Sequence, residues 1–152
     1  MQLRNQQSAT ESYAKLASKN TNSYLVDVRS SQEWQNDGVA DLSNNQEKVI
    51  LCEWRRYPSM ELNEDFFSKL TEKLILSKVD DLYFICAAGV RSQEAADFTD
   101  RRLKDLDFSI RCINIFDGFN GNTNSFFNLK KSNGWKASGL PCCQLKQPIN
   151  KN

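Results

Sequence analysis

The sequence predicts an α/β domain in which a central parallel sheet is covered by helices on both faces, three layers in all. Three observations predict it. Short β-rich runs alternate along the chain with segments of helical periodicity. The runs are nearly continuous in apolar or aromatic residues, as strands buried on both faces are. Each also ends in polar or glycine-bearing sequence, which punctuates rather than prolongs a strand.

Four runs read as strands: residues 24–28, 48–53, 81–86 and 111–116. Between them lie helices. Thr10 can cap a helix running to about Ser18 that buries Tyr13, Leu16 and Ala17. Leu62, Phe66, Phe67, Leu70 and Leu74 recur at helical spacing, with Asn63 as the cap. From Ser92 to about Leu106, an apolar stripe comprises Ala95, Ala96, Phe98, Leu103 and Leu106. Asp97 with Arg101, and Asp100 with Lys104, stand one turn apart on its wet side, so Arg101 and Arg102 read as a solvated face. Residues 1–140 read as one domain and residues 141–152 as a loosely held tail.

A chain of 152 residues holds one domain with a sizeable core. It is 39% apolar and 26% charged, the composition of a globular protein. Twenty basic residues nearly cancel nineteen acidic ones, which argues against nucleic acid or an anionic membrane as partner. The N-terminal residues lack the apolar run of a secretion signal, and no stretch has the length of a membrane span, so a cytoplasmic location is expected. Five cysteines, at 52, 86, 112, 142 and 143, are an odd set that argues against a disulfide framework. There is no histidine. That removes Ser-His and Cys-His nucleophile pairs and histidine-bearing zinc sites, and no cofactor or metal is expected.

In an open parallel sheet, ligands gather beyond the carboxyl ends of the strands, and the third strand delivers Cys86 there. The loop Cys86-Ala87-Ala88-Gly89-Val90-Arg91-Ser92 follows, and a helix then begins. Ala87 and Ala88 are small enough for a tight loop, and Gly89 can adopt positive φ. Such a loop turns successive N–H groups inward as an anion nest, and the helix start adds its dipole and unpaired N–H groups. A thiol held there, and reachable from solvent, is expected to ionise readily. Arg91 adds a permanent charge that pins the loop or an anionic substrate. Cys52 and Cys112, in mid-strand, read as structural, and Cys142 and Cys143 as exposed thiols.

The motif Cys86-x-x-Gly89-x-Arg91, after a buried strand and before a helix, resembles the active-site loop of the rhodanese family. Asp27-Val28-Arg29 followed by Glu33 is similar to the family's first-strand signature, and residues 117–121 resemble its later glycine-rich loop. Residues 53–60 and 134–141 are similar to a bacterial single-domain branch. The resemblance implies a three-layer α/β/α rhodanese-like fold and a sulfur relay. Cys86 would take sulfur from thiosulfate or a persulfide donor as a Cys86 persulfide. The N–H groups of Ala87, Ala88, Gly89, Val90, Arg91 and Ser92 would hold the terminal sulfur, and a thiol or cyanide would accept it.

The sequence has Gly38-Val39-Ala40 where many members carry Gly-His. Ala87 and Ala88 stand where good thiosulfate users place a basic side chain, which favours a different donor. Arg55 and Arg56, past the second strand, are candidates to supply that charge, while Trp54 reads as core. Arg29 and Glu33, four apart, are expected to pair with each other as a structural feature. Two rival readings share these residues. One is a cysteine phosphatase or arsenate reductase, whose loops are longer than the four residues between Cys86 and Arg91 and whose alkoxide leaving groups need an acid. The other is a non-catalytic module on the same fold.

Overall fold

The computed structural model describes residues 5–121 and 134–145. Its main sheet has five parallel strands: β1 (Gln6–Gln7), β2 (Ser23–Asp27), β4 (Val49–Leu51), β7 (Asp81–Ile85) and β8 (Arg111–Ile115). Their order is β1-β8-β7-β2-β4. The four strands expected from sequence are therefore present, the first shifted by one residue and the other three slightly shorter, and β1 adds an edge by pairing Gln6 with Asn114. From β2 the chain moves outward to β4, and from β7 it moves the opposite way to β8. The switch point thus lies between β2 and β7, where such sheets place their ligands.

Alternate residues of the strands feed two separate cores, which is what a three-layer arrangement requires. On one face Val26, Leu82, Phe84, Cys86 and Cys112 pack against α3 (Phe66–Glu72) and α4 (Val90–Asp105). On the other, Leu25, Tyr83, Ile85, Ile113 and Ile115 meet α1 (Ala9–Leu16), Phe119 and Trp135 of α5 (Gly134–Ala137). α2 (Ser31–Asp37) follows β2 and buries Trp34.

Several boundaries differ from the sequence reading. Ser8, not Thr10, caps α1 through a reciprocal capping box with Glu11. The carboxylate three residues on decides it, because it satisfies the Ser8 N–H in return. Ala17 ends α1 and lies exposed. α3 starts at Phe66 because Leu62 is drawn into a hairpin of β5 (Arg55–Arg56) and β6 (Glu61–Leu62). Asn63 caps nothing in the helical sense, but its side chain accepts from Asp65 N and donates to Glu53 O. The segment after Pro141, expected to be loose, forms β9 (Cys142–Cys143) against β3 (Val39–Ala40). Residues 146–152 lie outside the described residues, as do Asn122 to Asn124, part of the segment 120–124 whose asparagines and glycine read from sequence as an ordinary turn. No helix among the described residues is long and apolar enough to cross a membrane.

The expected Arg29–Glu33 pair does not form. Arg29 is 0% exposed and binds Asp27 through Nε and Nη2 at 3.0 and 2.7 Å. Its Nη2 also donates to Gly38 O at 2.8 Å, and its guanidinium lies 4.0 Å above the Phe119 ring. The short reach from a strand end to the residue two positions on favours Asp27 over a helix-borne Glu33. Arg29→Met strands a buried carboxylate, so it is expected to cost about 3–5 kcal/mol. Urea unfolding checks this, and adding Asp27→Leu to that variant is expected to recover much of the loss.

Candidate active site

Cys86 follows β7 directly, and the chain then turns into α4. Gly89 makes that turn. Its φ of +98° is a left-handed conformation, and a Cβ there would stand 2.3 Å from Phe116 O. Glycine is therefore required twice over, by backbone conformation and by space. Gly118 answers it from the opposite loop: its missing Cβ would fall 2.3 Å from Ala87 O. Main-chain bonds from Phe119 N to Cys86 O and from Asn120 N to Ala87 O, at 2.7 and 3.0 Å, fasten the two loops together.

Gly89 has no side chain to cap α4, and the sulfur takes that role. Cys86 Sγ accepts from Gly89 N and from Ser92 N, each at 3.2 Å. Ser92 N is one of the first-turn donors that the helix cannot satisfy internally. The Ser92 hydroxyl also lies 3.2 Å from Sγ. The expected nest is therefore built around the cysteine, with Gly89 and Ser92 as the residues whose N–H groups reach the sulfur. The thiol is not open to solvent as expected: Cys86 is 1% exposed and lies beneath its own loop. Ala87 and Ala88 are half-buried, and Val90 at the tip is 68% exposed.

Arg91 is paired with a carboxylate. Its two terminal nitrogens grip Glu33 at 2.8 and 2.9 Å, a pairing the sequence reading missed. Glu33 is also the acidic member of the Ser30 capping box, so one carboxylate ties the start of α2 to the start of α4. Burial opposes ionisation of Glu33, but the Arg91 fork and the Ser30 donors overcome it and hold the carboxyl down at about 2. The same pairing with Glu33 holds Arg91 above its ordinary range. Glu33 was detectable as a capping-box member; its partner was not.

The remaining candidates lie apart. Arg55 donates to Met60 O and stands 3.9 Å from Glu94; Arg56 binds Asn63 and Asp65. Trp54 is core, stacked edge-on against Phe66 with its Nε1 donating to Glu94. Arg101 and Arg102 are exposed on α4, as expected, and Arg102 also lies over the Phe67 ring. Burial pushes the Cys52 thiol up to about 11 and the Cys112 thiol up to about 12, as suits structural residues.

Two outcomes follow. Gly89→Ala is expected to cost on the order of 1–3 kcal/mol or more in unfolding, because it combines strained φ with a backbone clash. Glu33 has a depressed folded value, so its stabilisation is complete above the unfolded value of 4.5 and lost as pH falls toward about 2. In urea titrations across that window, Glu33→Gln is expected to flatten the acid decline and to be less stable at neutral pH by about 1.5–3 kcal/mol.

No family model matches the chain. The uncharacterized protein RC0915 of Rickettsia conorii is 37% identical over 138 residues, which cover 88% of this chain and 92% of that protein. Among solved structures, Rv0390 from M. tuberculosis aligns with a TM-score of 0.73 at 26% identity, over 95% of this chain and 100% of that one. The As-Sb reductase from Leishmania major aligns with a TM-score of 0.57 at 16% identity, over 85% of this chain and 80% of that one, and shows the fold alone. Sheet order, two-sided helical cover and these likenesses agree: the chain belongs to the same family as the Rickettsia protein RC0915, and its fold is rhodanese-like α/β/α.

Proposed function

We propose that this protein is a sulfurtransferase that carries sulfur as a Cys86 persulfide. The observation that carries the reading is the sulfur itself, set among main-chain donors at the mouth of α4 with Arg91 already engaged elsewhere. In the first step the Cys86 thiolate attacks the outer sulfur of thiosulfate or of a small persulfide. The S–S bond of the donor breaks, and sulfite or a thiolate leaves with the electron pair. In the second step a thiolate or cyanide attacks the terminal sulfur of the Cys86 persulfide, returning the Cys86 thiolate. Both leaving groups are stable anions, so neither step needs a general acid, and a chain without histidine is suited to it.

The resting thiol is covered, so donor entry requires the loop from Ala87 to Val90 to move aside. Two alanines and a glycine leave few side-chain atoms to displace. The rival is oxyanion chemistry of the phosphatase or arsenate-reductase kind, since an As-Sb reductase shares the fold. That chemistry calls for a guanidinium free to grip the oxyanion. Here the Arg91 fork is filled by Glu33, which favours sulfur. The Cys86-Arg91 segment contains both a nucleophile and an arginine, which favours an enzyme over a bare binding module.

Intact-mass spectrometry tests the reading. Incubation with thiosulfate or a small persulfide is expected to add the mass of one sulfur atom, and cyanide to remove it. Cys86→Ser is expected to gain none. Absence of any added sulfur, together with Cys86-dependent turnover of a phosphomonoester or arsenate, would overturn it in favour of the oxyanion reading.

A further inference from the structure

Asn114 lies on the face of β8 that packs beneath the first turn of α4, a polar residue buried in a strand otherwise apolar toward the core. Its amide has a fixed orientation. Nδ2 is 3.2 Å from Gly89 O, a main-chain carbonyl that can only accept. Nδ2 also has Gln6 Oε1 at 3.1 Å and Gln93 Oε1 at 3.3 Å. The other end, Oδ1, therefore faces Ser92 Oγ at 2.6 Å, and as an acceptor it claims the Ser92 hydroxyl proton. The Ser92 oxygen then turns a lone pair, not a proton, toward Cys86 Sγ at 3.2 Å. A chain of donors runs one way, from Cys86 S–H to Ser92 O–H to Asn114 Oδ1.

Resting on the reading of Cys86 as the reacting sulfur, we infer that Asn114 is a positioning residue that aims the Ser92 hydroxyl away from Cys86 and so holds the sulfur as a thiol until the site is engaged. When the thiol releases its proton to solvent, the Ser92 hydroxyl must swing from Asn114 Oδ1 to the sulfur to stabilise the anion. The 2.6 Å bond to Asn114 opposes that swing. The two main-chain donors cannot reorient, so Ser92 is the adjustable member of the cradle and Asn114 sets its resting direction. The sequence reading placed Ser92 in the loop for its N–H alone and did not include Asn114. A lone amide between Ile113 and Ile115 was the available signal, because a buried polar group must find partners.

Arg91, Glu94, Asp27 and Asp117, on the elements around the thiol, are each engaged. Arg91 of α4 is bound by Glu33 of α2, and Glu94 by Trp54 and Arg55. Asp27 at the end of β2 is bound by Arg29, and Asp117 after β8 accepts from Ala9 N and Gly134 N. Substitution at Asn114 leaves all of these in place.

The test is a thiolate titration by ultraviolet absorbance, each curve taken as the difference from the same protein carrying Cys86→Ser. Asn114→Leu removes the acceptor and frees Ser92 to donate to the sulfur. It is expected to move the Cys86 curve about one pH unit lower, a tenfold rise in thiolate on the acid side. In the Ser92→Ala background the same substitution is expected to move nothing. Asn114→Val, smaller and suited to a strand, is titrated alongside so that a folding defect in the leucine variant does not decide the matter. No shift with Ser92 present overturns the inference. So does an equal shift in the Ser92→Ala background, which would assign the effect to Gly89 O instead. The titration uses no donor or phosphoester, so its outcome is independent of whether Cys86 carries sulfur, which the mass measurement decides.

Discussion

The site depends on a helix whose first turn is capped by a sulfur atom. Gly89 offers α4 no side-chain acceptor, so the orphan N–H of Ser92 turns to Cys86 Sγ, with Gly89 N beside it. Capping the helix and presenting donors to the sulfur are thus one act. The backbone that achieves this is available to glycine alone at position 89, and the Phe116 carbonyl lies where any Cβ would stand. Fixed main-chain dipoles are well suited to a group whose charge changes, because they need no rearrangement when it does.

The same contrast separates Cys86 from the chain's other thiols. Cys52 Sγ faces Phe66 O and Cys142 Sγ faces Leu140 O, both carbonyls that ask the sulfur for its proton. Burial pushes the thiols of Cys52, Cys112 and Cys142 up. Cys86 is as deeply buried as any of them, yet its main-chain neighbours are donors. The direction of the surrounding main-chain dipoles, rather than exposure, sets Cys86 apart from Cys52 and Cys142.

Around this cradle the protein places a second tier of pairings that link elements far apart in sequence. Glu33 and Arg91 tie α2 to α4; Asp27, Arg29 and Gly38 tie the end of β2 to the chain entering β3; Asp117 ties α1 to α5. Each group is partly or wholly buried and answered by a geometrically matched partner, which is the condition under which buried charge is tolerable. These ties surround the switch point between β2 and β7, so the sheet edge that carries Cys86 is braced from both layers.

Much of this was present in short windows of sequence. Strands 81–85 and 111–115 are recognisable from their apolar runs, α4 from its stripe of Ala95, Ala96 and Leu103, and the cradle from a cysteine, a glycine and a helix start in immediate succession. Local sequence carries such information because a turn's φ requirement and a helix's unsatisfied N–H groups involve residues a few positions apart. Partner choice is different. That Arg91 meets Glu33, that Arg29 prefers Asp27, that Ser92 leans on Asn114 and that residues 142–143 form a strand all depend on which segments the sheet brings side by side. A charge or an amide can satisfy itself with any neighbour of the right kind, and only the packed tertiary structure decides which neighbour that is.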